Sequence, residues 1–278
     1  MYTAQRVIKY CAVAFAVLLI CGIISAIVTA GMMLSYVFGG WESEPIATGT
    51  TEVIDVSDIA TQEVKSLHLD LKATSVVIVM GEEFAVEADE SVITVSQGEK
   101  ALYVQEKDFH FLTDWGTRGK EMKITIPHDW TGLDTLRLNA GAGRVEIRDL
   151  TVKNLELELG AGKTDLSNLV VTERTKINGG AGYLAVRESE FRDLDLDMGV
   201  GKVELGIKLA GNNQIDAGVG KLDLNLRGAP EGYRVKVEKG LGSITLNGKK
   251  MADDETWGDG KTTIDIDGGV GAIEITTE

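Results

Sequence analysis

The sequence predicts an all-β domain: a parallel β-solenoid of about eight rungs, with a 19–22-residue period and Gly-x-Gly corners, preceded by one transmembrane α-helix. Three observations carry this. First, one phrase recurs seven times, as LRLNAGAGRVEI (136–147), LELELGAGKTDL (155–166), TKINGGAGYLAV (175–186), LDLDMGVGKVEL (194–205), NQIDAGVGKLDL (213–224), VKVEKGLGSITL (235–246) and IDIDGGVGAIEI (264–275). Each line alternates apolar and polar residues, breaks at Gly-x-Gly and resumes the alternation, as half-buried strands do on either side of a corner. Second, the first glycines of the seven pairs are 19, 20, 19, 19, 22 and 29 residues apart. A repeat of that size means that each unit leans on its neighbours to bury its apolar side. Third, the chain runs from Tyr10 to Trp41 without a charge, and no later stretch keeps a helical period.

Composition narrows the function classes. The 278 residues include 33 glycines but only three prolines, which excludes collagen and a Pro-rich linker. A net charge of −15 argues against a nucleic-acid partner, since phosphate binding needs a basic face. Both cysteines, Cys11 and Cys21, fall in the apolar run, so neither a disulfide framework nor a thiolate metal site is available after residue 21.

Taken in order, residues 1–9 form a short N-terminus carrying Arg6 and Lys9, and residues 10–38 a helix long enough to span the hydrocarbon. Glu42 and Glu44 follow it, so the positive-inside rule puts the N-terminus in the cytoplasm and the remainder outside, in a single-pass cell-membrane arrangement. Val28-Thr29-Ala30 resembles a leader cleavage site, but the apolar run continues past it. Gly22, Ala26 and Ala30 share one helix face, a small-residue series through which two copies could pair as a homodimer. Residues 39–63, rich in Gly, Ser, Thr and acids, read as an extracytoplasmic linker.

Residues 64–130 read as an irregular β region that caps the stack. SLHLDLKATSVVIVM (66–80) is a degenerate first repeat with Lys72-Ala73-Thr74 in place of Gly-x-Gly; FAVEAD, ALYVQE and MKITIP continue as strands. Phe109, Phe111 and Trp115 crowd one loop, which suits a cover over the stack end or a partner-binding loop.

Residues 131–278 hold the regular repeats, each with two strands and a return of about seven residues. Stacked in parallel, Arg137, Glu156, Lys176, Asp195, Gln214, Lys236 and Asp265 form a column of alternating sign, which favours one register. A second column ends in four acids, and the bases after the corners, Arg144, Lys163, Lys202 and Lys221, are expected to reach back towards it. Glu238 and Asp267 lack such a base and are the one conceivable cation site. The stretch 248–262 reads as a surface loop thrown out between rungs.

No catalytic constellation or cofactor motif emerges. Gly160-Ala161-Gly162-Lys163-Thr164 has the tail of a phosphate loop, but Leu157 stands where that motif needs glycine. His68, His110 and His128 match no metal spacing and partner no visible nucleophile. The glycine pairs are instead read as corners: Gly141 with Gly143, Gly160 with Gly162, Gly180 with Gly182, Gly199 with Gly201, Gly218 with Gly220, Gly240 with Gly242, and Gly269 with Gly271.

With its N-terminal anchor, an early β region ending at Ile126-Pro127 and serial L-x-L-x-x-G-x-G-x-V-x-L lines, the chain resembles the bacterial putative-adhesin family, also called toast-rack domains, over residues 64–278. The resemblance implies a stacked β-solenoid with a role in surface adhesion or envelope-stress systems, and no catalytic residues. The expected function is therefore a non-enzymatic surface scaffold that binds an envelope component or a protein partner. A membrane-bound envelope-stress sensor is the alternative, and a carbohydrate-active enzyme the third reading.

Overall fold

The structure is a computed structural model that describes residues 52–54, 56, 63–107, 121–128, 130 and 132–277. All belong to one compact unit, Thr48–Glu278. The expected membrane helix with Gly22, Ala26 and Ala30, and the aromatic trio Phe109, Phe111 and Trp115, lie outside the described residues. Among the described residues no helix is long and apolar enough to cross a membrane.

The unit is all-β. The early strands are β1 (Glu52–Ile54), β2 (Ser66–Leu71), β3 (Ser75–Gly81), β4 (Ala85–Ala88), β5 (Ile93–Gln97), β6 (Ala101–Glu106) and β7 (Glu121–Pro127). Long strands that run through their corners follow: β8 (Thr135–Arg148), β9 (Thr151–Ser167) and β10 (Val170–Arg192). Next come β11 (Leu194–Asp197), β12 (Val200–Ala210), β13 (Asn212–Asp216) and β14 (Val219–Leu226). A 3-10 turn at Pro230–Gly232 leads to β15 (Tyr233–Glu238), β16 (Leu241–Leu246), β17 (Lys249–Lys250), β18 (Glu255–Trp257), β19 (Thr262–Asp267) and β20 (Val270–Thr277).

Alternation decides which side chains face inward. In β8, Leu136, Leu138, Val145 and Ile147 are buried, while Arg137, Asn139 and Arg144 are exposed. The inward set changes from even to odd numbers across Gly141-Ala142-Gly143, so the corner returns the apolar face of both halves to one core. That core is aliphatic apart from a few side chains such as fully buried Phe191. Each fully buried Leu or Ile contributes roughly 1.5–3 kcal/mol relative to exposure.

Rungs stack in parallel and keep one register through the corners, with irregularities in the returns, between Val171 and Arg174 and between Arg187 and Ser189. Leu136 pairs with Leu155, Thr175 with Leu155 and Leu194, and Gly143, Gly162, Gly182, Gly201 and Gly220 follow one another. The return is not a plain loop: Thr151–Val152 pair with Val170–Val171, and Ser189–Arg192 with Ile207–Ala210, adding a third strand segment to these rungs. The turns into it use left-handed Asp149 (φ 58°) and Asn168 (φ 54°), residue types whose short polar side chains tolerate that region.

Among the described residues the stack has nine rungs rather than about eight, and its order departs from the sequence at both ends. β2 and β3 pair in parallel with β8 on one side and with β6 and β7 on the other. So β6 and β7, expected as irregular cap strands, form a full terminal rung. At the far end β19 and β20 lie between β13/β14 and β15/β16. The rung written last is therefore second from the end, and Gln214 neighbours Asp265 instead of Lys236. The chain leaves β14 through Gly228–Gly232, passes over one rung position and later returns to fill it.

Antiparallel strands cover both terminal rungs. β5 pairs with β6, β4 with β7 and β1 with β4; β17 pairs with β16 and β18 with β15. The 248–262 stretch is thus an end cap rather than a loop thrown out between rungs. Covering the last rung with short antiparallel pieces blunts an edge that would otherwise template further strands.

Candidate partner-binding edge

The Gly-x-Gly corners line up along one edge of the stack, and the two glycines of a pair act differently. The second takes positive φ, from 138° at Gly143 to 154° at Gly162, in every pair except Leu241's, where Gly242 does not. The first has no such φ; a Cβ on Gly199 would strike the carbonyl oxygen of Gly180 one rung below. The early corner Lys72-Ala73-Thr74 escapes this because its neighbour is the end of β6. There the Glu106 carboxylate accepts all three backbone N–H groups, from Lys72 at 2.7 Å, Ala73 at 2.9 Å and Thr74 at 3.0 Å.

The residue between the glycines points to solvent, with no neighbouring side chain in its own rung to shield it. In spatial order this column reads Ala142, Ala161, Ala181, Val200, Val219, Val270 and Leu241. The last four are 45%, 37%, 50% and 79% exposed, an aliphatic ridge of four consecutive rungs. At about 4.8 Å per rung it is about 14 Å long.

Three residues earlier in each rung runs the second column: Asn139, Glu158, Asn178, Asp197, Asp216, Asp267 and Glu238. Its four consecutive acids occupy the same four rungs as the aliphatic ridge. Burial pushes the Asp267 carboxyl above the usual carboxylate range, helped by its hydrogen bond with Asp216 and the charges of Asp216, Glu238 and Asp265. Glu238 receives Lys236 Nζ at 2.7 Å, and the Gln214 amide lies 3.4 Å from Asp216.

The bases after the corners do not reach back to this column. Lys163 pairs with Asp165 at 2.9 Å, Lys202 with Glu204 and with Asp223 at 3.6 Å, and Lys221 with Asp223 at 2.6 Å and Glu274 at 3.4 Å. A base and the acid two residues later project from the same strand face, so the nearer partner captures it. Glu238 and Asp267 are register neighbours, but among the described residues no three His, Cys, Asp or Glu side chains converge to hold a metal.

Two other groups attract notice. Tyr183 donates to Glu204, and burial together with that bond pushes its pKa up to about 12, so its proton stays in place at neutral pH. His68 packs edge-on against Tyr103 at 5.1 Å, and burial and Arg137 hold it below the usual imidazole range. Just inside the corner, a groove of about 530 Å³ measured out to solvent is lined by Leu159, Met198, Leu184 and Val203 where Gly179 contributes no side chain. Tyr183, Asp197, Lys202 and Thr164 also border it.

The sequence profile of Toastrack DUF4097 matches residues 64–268. The chain belongs to the Toastrack DUF4097 family. Among solved structures, this Toastrack chain is similar to a "putative cell adhesion protein" from Clostridium sporogenes, at 16% identity over 83% of this chain and 100% of the other, with a TM-score of 0.40. It is also similar to a "putative adhesin" from Bacteroides fragilis, at 15% identity over 77% of this chain and 92% of the other, with a TM-score of 0.37. No curated protein matches the chain.

From the sequence alone no role attaches to the residue between the glycines, so the ridge does not figure there. The signal was present: wherever that residue is Val or Leu, the residue three before it is Asp or Glu, and wherever it is Ala, the earlier residue is Asn or Glu.

Proposed function

We propose that this Toastrack chain is a non-enzymatic, membrane-anchored scaffold, held outside the cytoplasm, that binds a protein or envelope component along its Gly-x-Gly edge. The observation that carries this is the coincidence, rung by rung, of the exposed ridge Val200, Val219, Val270, Leu241 with the acids Asp197, Asp216, Asp267, Glu238. A bare aliphatic row beside a row of like charge is costly to keep in water unless something covers it. The uncharged run from Tyr10 to Trp41, between Arg6 and Lys9 on one side and Glu42 and Glu44 on the other, supports the anchor and its orientation.

A photo-crosslinking residue at Leu241 of the full chain in intact cells tests this reading. The expected result is a discrete adduct that is absent when the same residue replaces exposed Lys208 on another face. Adducts identical at the two positions would overturn it. The second reading is an envelope-stress sensor signalling by helix association at Gly22, Ala26 and Ala30, favoured by that small-residue series. Ala26→Leu should then change a stress-response reporter, and an unchanged reporter would remove that reading.

A further inference from the structure

Resting on the reading of the corner edge as a binding surface, we infer that its occupant is a basic amphipathic α-helix of a partner protein, laid along the stack axis with its apolar stripe on Val200, Val219, Val270 and Leu241. The spacing selects the helix. Apolar residues at i, i+4, i+7 and i+11 of a helix span about 16 Å, close to the ridge's length of about 14 Å. Four same-side residues of an extended strand would span about 20 Å and lose register within two rungs.

Charge selects the flank. The stripe's neighbour on one side is the column Asp197, Asp216, Asp267 and Glu238, so Lys or Arg on that flank of the helix meets acids at every rung. On the other side Lys202 and Lys221 already have carboxylate partners, and the last two rungs carry Ala272 and Ser243, so that flank asks for small or neutral residues. The same charges disfavour the other occupants: an anionic membrane surface would face four carboxylates, and a second copy would add another −15.

The test uses the full chain in phosphatidylcholine nanodiscs and a fluorescent 18-residue peptide with Leu at the helical stripe positions and Lys on one flank, with empty nanodiscs as background. Micromolar binding is expected, with at least tenfold loss for a scrambled peptide of the same composition. The double variant Val270→Lys/Leu241→Lys should lose at least tenfold, and Asp216→Asn/Glu238→Gln should lose severalfold and most of the salt dependence. Melting curves are measured alongside; Val270, Leu241 and Glu238 are exposed and Asp216 is half-buried, so any loss of fold shows there first. Equal binding of the scrambled peptide, or unchanged binding by a Lys variant that melts like the parent, overturns the helix. So does a ridge-dependent gain in mass from self-association, or ridge-dependent binding to anionic vesicles in place of the peptide. A discrete Leu241 adduct in cells alongside a failed peptide test leaves the edge reading standing and removes only the helix; absence of both removes the two together.

Discussion

Asp267 sits in register beside Asp216, 51 residues earlier in the chain, and the two carboxyl groups share a hydrogen bond. Burial first, and then this bond, which needs a proton on one of the two carboxyls, make Asp267 hold its proton to higher pH than an ordinary aspartate. With the folded value above the unfolded one, the contribution to stability is fully present below about pH 4 and is lost as pH rises through the raised value. Asp267→Asn should therefore melt above the parent at neutral pH and lose that advantage in acid. Thermal melts from pH 3 to 8 check this; an offset independent of pH would contradict the shared proton.

Thr175 occupies an inward position held by Leu155 and Leu194 in the rungs on either side, is fully buried, and its Oγ1 has no hydrogen-bond partner. Thr175→Val removes a desolvated hydroxyl at nearly constant shape and should stabilise by about 1 kcal/mol. Denaturant titration with an unchanged slope is the measurement. A loss of stability would mean that the hydroxyl is satisfied in solution.

Two rungs along the same inward column, Asn213 is also buried, but there the polar group is used. Its Oδ1 accepts from Leu194 N at 3.0 Å and its Nδ2 donates to the Thr263 carbonyl at 2.9 Å, joining the rungs on either side. Asn213→Ala leaves both backbone groups unpaired and should cost about 2–4 kcal/mol. A cost under 1 kcal/mol would show that the inserted last rung does not depend on this clamp.

Asn213 also marks where the sequence stopped being informative. Alternation in the lines around Leu136 and Leu205 made inward faces, corners and parallel stacking legible, because those follow from local periodicity. The order of the last two rungs did not follow, since Gln214 next to Lys236 or next to Asp265 satisfies the same pattern, and only the connection over Gly228–Gly232 decides. The lysines after the corners pair with acids other than those the columns suggest for a related reason: stacking sets neighbours between rungs, whereas Lys202 and Glu204 share one strand face within a rung.

Gly201, with φ 145°, sits where a Cβ would meet the Gly182 carbonyl oxygen, so both backbone conformation and space exclude a β-branched residue. Gly201→Val should cost at least about 2 kcal/mol. Lys202→Ala, one residue on, should leave the melting temperature near the parent's, because its partners Glu204 and Asp223 are solvent-accessible. If Gly201→Val melted like the parent, the corner assignment would fail and the glycine edge would need a ligand to account for it.

The end cap offers a prediction about association rather than stability. β17 and β18 cover β16 and β15, Met251 is buried beneath them, and Lys239 N donates to Asp253 at 2.8 Å. Replacing residues 249–257 with a Gly/Ser segment of equal length keeps the connection from Leu246 to Thr262 but exposes one edge of the terminal rung. The interior rungs retain their register partners, so cooperative melting should survive with a lower midpoint. The uncovered edge, with backbone donors and acceptors open beside Val235 and Val237, should recruit a second copy end to end. Light scattering at increasing protein concentration reads this out, with mass rising for the variant and constant for the parent. A variant that loses cooperative melting instead would place the hairpin within the folding unit itself, and its Trp257 packing against the core would then matter more than its cover of the edge.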